Sequence, residues 1–249
     1  MTDHRIVITG ATSGLGRELA LQYARGGTEI VLGLTGRRQD RLDEVATELR
    51  ELGAVVHTYA VDVCDREAMQ AMAADFVERA GGVDLVIANA GVGQPDLITS
   101  GDPSHAAFVF EVNVIGAINT LVPFLPAMKA QQSGHIVGIA SVAGFRALPV
   151  SGAYSASKKA LQFLLDSWDY SLRRHGIQVT CINPGFVVSE MTDKRGDDPM
   201  PFKMSTPDAV KRMRWAIEAG KRSYTFPRPM RFATWILPWL PRWLVAKLV

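Results

Sequence analysis

Short runs rich in Val, Ile, Leu and Thr alternate with longer amphipathic stretches along most of this chain, and that alternation leaves few folds open. Each apolar run is too short for a buried helix. It is long enough for a strand covered on both faces, as in a parallel sheet whose crossovers are helices. Strands are predicted near Arg5 to Thr9, Ile30 to Thr35, Val55 to Ala60, Leu85 to Ala88, His135 to Ala140 and Gln178 to Ile182. Helices are predicted near Gly14 to Arg25, Gln39 to Leu52, Arg66 to Arg79, Ser104 to Lys129 and Tyr154 to His175. Gly53 and Gly176 directly follow two of them, where a glycine stop ends a helix. Such regular alternation specifies an α/β fold, a doubly wound parallel sheet.

No repeat, low-complexity tract or linker interrupts the first 190 residues, so residues 1–249 read as a single domain with a variable C-terminal extension. Within it, residues 190–220 read as a loop, broken by Gly and Pro between Asp193 and Pro201, followed by a helix from Asp208 to Gly220. Residues 224–249 form an apolar C-terminal segment, with a short strand expected at Tyr224 to Pro227 and tryptophans at 235, 239 and 243.

Net charge is +2 and the basic residues are dispersed, so nucleic acid is not an expected partner. Cys64 and Cys181 lack CxxC spacing and lie in or beside apolar runs, which reads as two buried thiols in a reducing cytoplasm. The five histidines never pair at ligand spacing with each other or with cysteine, so no metal site is expected. The apolar run at Ile6-Val7-Ile8 is too short for a signal peptide, and no run reaches membrane-spanning length.

The first strand runs straight into Thr9-Gly10-Ala11-Thr12-Ser13-Gly14-Leu15-Gly16, after which a helix begins. A plain strand-to-helix turn is one reading. After the first strand of a parallel sheet, however, the glycines allow a sharp turn and a close approach to a pyrophosphate at a helix N-terminus. Dinucleotide binding is therefore expected at Gly10, Thr12, Ser13, Gly14, Leu15 and Gly16. An NAD site would place an acidic residue at the end of strand two, against the ribose 2′-hydroxyl. This chain has Gly36-Arg37-Arg38 there, and a guanidinium can clamp a 2′-phosphate. NADP(H) is thus favoured and NAD(H) stays open; the alternative for Arg37 and Arg38 is a pair of solvated charges opening a helix. Asp62-Val63 could accept from the adenine amino group, and Asn89-Ala90-Gly91 puts small residues where a ribose must pass.

Tyr154 and Lys158 stand four residues apart in Tyr154-Ser155-Ala156-Ser157-Lys158, so a helix presents both on one face. At about 5 Å and an effective dielectric near 20, an ammonium favours a phenolate by about 3 kcal/mol, which brings a tyrosine proton within reach of neutral pH.

Taken in order, TGATSGLG (9–16), DV (62–63), ANAG (88–91), EVNVIG (111–116), Ser141 in IASVAG, YSASK (154–158) and NPGFVVSEM (183–191) resemble the short-chain dehydrogenase/reductase family of roughly 250-residue type, whose domain is a Rossmann fold. The resemblance implies an NAD(P)-dependent enzyme acting on CH–OH groups, with Asn113, Ser141, Tyr154 and Lys158 as catalytic residues. By that analogy Tyr154 protonates the carbonyl oxygen in reduction and removes the hydroxyl proton in the reverse direction, while Ser141 hydrogen-bonds the substrate oxygen. Lys158 lowers the tyrosine pKa and bonds the nicotinamide ribose, so Tyr154 and Lys158 also touch the cofactor. Asn113 holds a water that links Lys158 to solvent. Pro184 and Gly185 seat the nicotinamide, whose carboxamide meets Val187 and Ser189, and the hydride moves on its B face.

Around the substrate the family places Val92, Gly93, Ala143, Phe145, Arg146, Phe186 and Met191; most are apolar, which implies a bulky hydrophobic ketone or secondary alcohol as the small-molecule partner. Between Gly27 and Arg37 the chain is about two residues longer than common members, which leaves the aim of Arg37 open. The usual glycine-rich tail of the tetramer interface is replaced by the Trp-rich segment. A homodimer through the helices containing Asn113 and Tyr154 is therefore expected. For the tail itself, a subunit contact, a cover over the pocket and a peripheral contact with the inner face of a membrane all remain open. A non-catalytic nucleotide sensor would not need Ser141, Tyr154 and Lys158 together. A nucleotide-sugar dehydratase or epimerase would need a larger C-terminal domain than the roughly 60 residues that follow residue 190.

Overall fold

The computed structural model describes residues 4–26, 29–93, 95–96, 98–147, 150–188, 200–236 and 239. Seven strands, β1 (Arg5–Thr9), β2 (Val31–Gly36), β3 (Val55–Ala60), β4 (Leu85–Ala88), β5 (Gly134–Ile139), β6 (Ile177–Pro184) and β7 (Ser223–Phe226), make one parallel sheet in the order β3-β2-β1-β4-β5-β6-β7. The six expected strands fall within a few residues of their predicted limits. The short run expected near Tyr224 becomes the seventh strand, with Tyr224 in register with Ile182 of β6.

The helices are α1 (Gly14–Gly26), α2 (Gln39–Glu51), α3 (Arg66–Ala80), α4 (Ser104–Gln131), α5 (Gly152–Leu172), α6 (Thr206–Glu218) and α7 (Arg228–Ile236). Side chains of α1, α2 and α6 share one core with Ile6 and Ile8 of β1, whereas those of α3, α4 and α5 share a second with Val7. That alternation along a single strand is what burial on both faces requires. Phe76 and Phe124 meet edge to face at 6.4 Å in the second core. Each is fully buried and contributes about 1.5–3 kcal/mol.

Two glycines set how closely helices lie on the sheet. A Cβ at Gly33 would come within 2.7 Å of Phe76, and one at Gly138 within 2.5 Å of Leu165. The second matters for the site, because Gly138 lets α5 settle directly against β5.

α4 is not the uninterrupted helix that its pattern predicts. It is α-helical at Ser104–Phe110, opens into a π turn at Glu111–Ile115, and tightens to a 3₁₀ turn at Val122–Phe124. Pro123 accounts for the second break, since it has no N–H to give to the ladder. The first inserts a residue into the turn that carries Asn113, the kind of bulge that collects at functional positions. α4 also corrects one expectation, for it is long and apolar enough to cross a membrane. Half of its most apolar window is buried inside the protein, so here it serves as a core helix.

Beyond β6, Val188 N–H donates to Met204 O (3.0 Å) and Met204 N–H to Phe186 O (2.9 Å), drawing the chain on either side of residues 189–203 together. The helix expected at Asp208 begins at Thr206, capped by Ser205. Most of the loop expected between Asp193 and Pro201, and all of residues 240–249, lie outside the described residues.

Candidate active site

Strand order reverses between β1 and β4, where a doubly wound sheet opens a crevice at its C-terminal edge. The glycine turn and the Asn89-Ala90-Gly91 segment meet there. The Asn89 Nδ2 donates to Thr9 O (2.9 Å) and Gly10 O (3.2 Å), while Thr9 Oγ1 accepts from the N–H groups of Asn89 and Ala90, both at 3.2 Å. Thr9 and Asn89 therefore lock the turn onto β4. Gly10 adopts a φ of +64°, and a Cβ there would lie 2.9 Å from Ala90 Cα; a Cβ at Gly16 would lie 2.3 Å from Gly10 O. The turn needs these glycines for its own packing before any ligand arrives. α1 starts at Gly14, so the first-turn N–H groups around Leu15 and Gly16 are of the kind a helix leaves unbonded, and Thr12 and Ser13 lead into them.

Arg37 and Asp62, predicted at opposite ends of an adenosine, stand 4.0 Å apart. Pairing of Gly36 with Ala60 brings the ends of β2 and β3 level, which sets Arg37 beside Asp62 despite the longer preceding run. Arg38 is exposed immediately before α2. Asp62 also accepts from Cys64 N–H (3.0 Å), and Val63 is buried against Gly116 of α4.

The predicted catalytic residues come from three elements. Lys158 is buried in α5 and its Nζ donates to Ile139 O at 2.9 Å, while lying 5.8 Å from the centroid of the Tyr154 ring. Burial pushes this ammonium down to about 8. A thiolate at Cys181 would counter that, but burial pushes the Cys181 thiol up to about 12, so it is neutral at physiological pH. Asn113, in the π turn, accepts from Val92 N–H (2.8 Å) and donates to Val92 O (2.9 Å) and Ser157 Oγ (3.0 Å). Gly91 lies between these groups. A Cβ there would sit 3.1 Å from Asn113 Oδ1 and 3.3 Å from Lys158 Nζ, so glycine lets both polar groups close over this segment. Ser141 caps the 3₁₀ turn Val142–Phe145, its Oγ accepting from Ala143 N–H at 3.1 Å.

Pro184 and Gly185 are held by β7, because Pro184 pairs with Phe226 and Gly185 N–H donates to Phe226 O at 2.8 Å. Val187 is buried beside them. Of the expected substrate residues, Val92 is tied to Asn113, Gly93 follows it, and Ala143, Phe145 and Arg146 belong to the Ser141 turn or follow it. Phe186 closes against Met204 through its backbone. Ser189 and Met191 lie outside the described residues. Among the described residues, no group of three or more His, Cys, Asp or Glu side chains could hold a metal ion.

Residues that the sequence pattern did not single out complete the site. Ser157 ties Asn113 to the Tyr154 carbonyl. Asp96 accepts from Ala153 N–H with both carboxylate oxygens, at 3.1 and 3.0 Å, and its own N–H donates to Val150 O at 2.8 Å. It caps α5 from a distant loop, a role that Ser151 at the local cap position does not fill with its side chain. No local spacing could reveal this, since the partners are 57 residues apart.

The buried ammonium has a measurable consequence. Burial holds Lys158 at about 8 in the folded chain against its ordinary 10.5, so the unfolded chain binds more protons between those values and stability rises with pH across that window. The penalty is complete below about pH 8 and gone above about 10.5, which amounts to about 3 kcal/mol. In urea unfolding, Lys158→Met is expected to lose up to about 3 kcal/mol relative to the parent chain between pH 7 and 10.5. A difference that does not change with pH rules the buried charge out.

Comparison with known proteins agrees with this geometry. A family model described as short chain dehydrogenase matches residues 4–199. An uncharacterized oxidoreductase of Myxococcus xanthus is 39% identical over 241 residues, covering 97% of this chain and 94% of its own. A short-chain dehydrogenase/reductase of Burkholderia phymatum, solved in complex with NAD, superimposes with a TM-score of 0.85 at 28% identity, over 94% of this chain and 93% of that one. An alcohol dehydrogenase of Thermococcus sibiricus, solved with 5-hydroxy-NADP, has a TM-score of 0.80 at 27% identity, over 89% and 94% of the two chains. With its parallel sheet, its glycine turn and its extensive match to the family model, the chain belongs to the short-chain dehydrogenase family of oxidoreductases.

Proposed function

We propose that this protein is an NADP(H)-dependent oxidoreductase that interconverts a hydrophobic ketone and its secondary alcohol, with Tyr154 as general acid and base. The observation that carries this reading is the gathering of Asn113 and Lys158 over Gly91, with Lys158 on the helix that bears Tyr154. Lys158 presents a cation near the phenol and holds itself in place on Ile139 O. Ser141 spends an oxygen lone pair on Ala143 N–H, and its O–H proton is what a substrate oxygen would take. Asn113 and Ser157 keep the α4 π turn against α5, the route along which a proton would be resupplied.

The glycine turn would hold the pyrophosphate of a nicotinamide dinucleotide, which when bound supplies or takes the hydride. Pro184, Gly185, Val187 and Ser189 would seat its nicotinamide end. Solved relatives carry NAD in one case and 5-hydroxy-NADP in another, so the preference for NADP(H) rests on Arg37 and Arg38. Apolar character at Val92, Ala143, Phe145 and Phe186 supports a hydrophobic substrate.

Exposed apolar side chains favour assembly as a homodimer through α4 and α5. Phe110, Ile115 and Val122 on α4, and Phe163 and Tyr170 on α5, all stand in solvent. For the C-terminal segment we favour a peripheral contact with an anionic membrane. Residues 219–249 contain six Lys or Arg and no Asp or Glu, Arg228 and Arg231 are exposed on α7, and Phe232 and Trp239 are 64% and 84% exposed. The free thiols at Cys64 and Cys181 suit a reducing compartment such as the cytoplasm.

In a screen of lipid-like and aromatic ketones followed by NADPH absorbance, turnover is expected on hydrophobic members, and Tyr154→Phe is expected to lower kcat about a hundred- to ten-thousandfold. Activity confined to polar sugars, or undiminished in Tyr154→Phe, overturns the reading. Replacing Arg37 and Arg38 by Ser should raise KM for NADPH about ten- to a hundredfold while leaving KM for NADH within about threefold. Equal effects on the two cofactors remove the phosphate role. Light scattering should find a dimer whose dissociation constant rises about a hundredfold in the Phe163→Glu/Tyr170→Glu double variant. Flotation should recover the protein with vesicles containing phosphatidylglycerol and not with phosphatidylcholine alone; recovery with neither rejects the membrane contact.

A further inference from the structure

We propose that Gln162 is a positioning residue for the reaction, fixing the Ser141 turn to the helix that carries Tyr154 and Lys158; the inference rests on the roles proposed above for those three. Tyr154, Lys158 and Gln162 are spaced i, i+4 and i+8 along α5, so they share one face of the helix. Two of them reach the same stretch of backbone. Lys158 donates to Ile139 O at the end of β5, and two residues later Gln162 Nε2 donates to Ser141 O at 3.0 Å.

The Gln162 amide has two N–H protons, and the second goes to Asn183 Oδ1 at 2.8 Å. Asn183, almost wholly buried in β6, turns its Nδ2 to Ser223 Oγ of β7 at 3.1 Å. The direction of this chain is set by chemistry, because a backbone carbonyl only accepts. Nε2 must face Ser141 O, which makes Asn183 present its oxygen to Gln162 and its nitrogen to Ser223. The turn is closed from its other side as well. Gly144 N–H donates to the same Ser141 carbonyl at 3.1 Å, and a Cβ at Gly144 would lie 2.7 Å from Gln162 Nε2.

The distance between the Ser141 hydroxyl and the Tyr154 phenol is thereby held by a side chain of the tyrosine's own helix rather than by the turn alone. Catalysis gains when such donors are preorganised rather than reoriented during reaction. Gln162 touches neither reacting atom.

The test uses the full-length protein with Gln162→Glu and Gln162→Met. Both keep the length of the side chain, and both lose the donor at neutral pH. Three readouts are taken: hydrogen exchange at the Ala143 and Gly144 amides, NADPH affinity by fluorescence, and steady-state kinetics on the best ketone of the screen. The expected result is exchange at those two amides at least about tenfold faster in both variants, unchanged NADPH affinity, and kcat lower by about tenfold with KM for NADPH unchanged. In Gln162→Glu the loss should ease toward acid pH as protonation restores a donor, and Gln162→Met should show no such recovery. Unchanged exchange in both variants overturns the positioning role, as does a kcat loss matched by an equal rise in KM for NADPH. If the parent chain turns over no ketone, the functional reading fails instead, and the exchange measurement still decides whether Gln162 holds the turn.

Discussion

The seating of α5 against β5 is the contact on which the rest of the site depends. It exists because Gly138 offers no side chain where Leu165 arrives, so the helix axis comes close enough for two of its side chains to reach backbone carbonyls at the end of the strand. A buried lysine is costly, and burial pushes this one down to about 8 while leaving it mostly charged at neutral pH. Its hydrogen bond to Ile139 O offsets part of that cost. A buried cation held 5.8 Å from the centroid of a tyrosine ring is the kind of perturbed group that concentrates at functional sites.

The nucleotide end is built by a different device, a clamp between neighbouring strands. Thr9 and Asn89 join the turn after β1 to the segment after β4, and the close fit between Gly10, Gly16 and Ala90 leaves no room for side chains. The turn is therefore set in the protein's own packing, with helix N–H groups already presented. Binding a dinucleotide at such a turn requires little reorganisation, which favours affinity. Arg37 joins this end through the pairing of β2 with β3, which places it beside Asp62.

Around Ser141 and Tyr154, three loops are secured from outside themselves. Asp96 binds the loop after β4 to the start of α5, Gln162 binds the Ser141 turn to the middle of α5, and the bridge of Val187 to Met204 draws the far side together. β7 supports Pro184 and Gly185. These loops thus rest on α5 and on the β6–β7 edge of the sheet, so their sequence can vary without disturbing the seating of Lys158 and Tyr154 on α5.

Fold class, strand limits, the glycine turn and the Tyr154–Lys158 pair were all legible in the sequence, because each depends on residues close together in the chain: periodicity, a turn, a helical spacing of four. The seventh strand was legible as a short strand near Tyr224 but its partner was not, since the pairing joins Ser223 to the distant Cys181 of β6. The π turn at Asn113 escaped the pattern, because an inserted residue in a helix leaves hydrophobic periodicity almost intact. Asp96, Gln162 and the Thr9–Asn89 clamp could not be found from spacing at all. Each of these polar side chains acts on a backbone group that only tertiary packing brings within 3.2 Å. The sequence by itself determined which chemistry the chain can present, and the tertiary structure alone decided which groups hold that chemistry in register, because hydrogen bonds between distant segments form only after the core has set their distances.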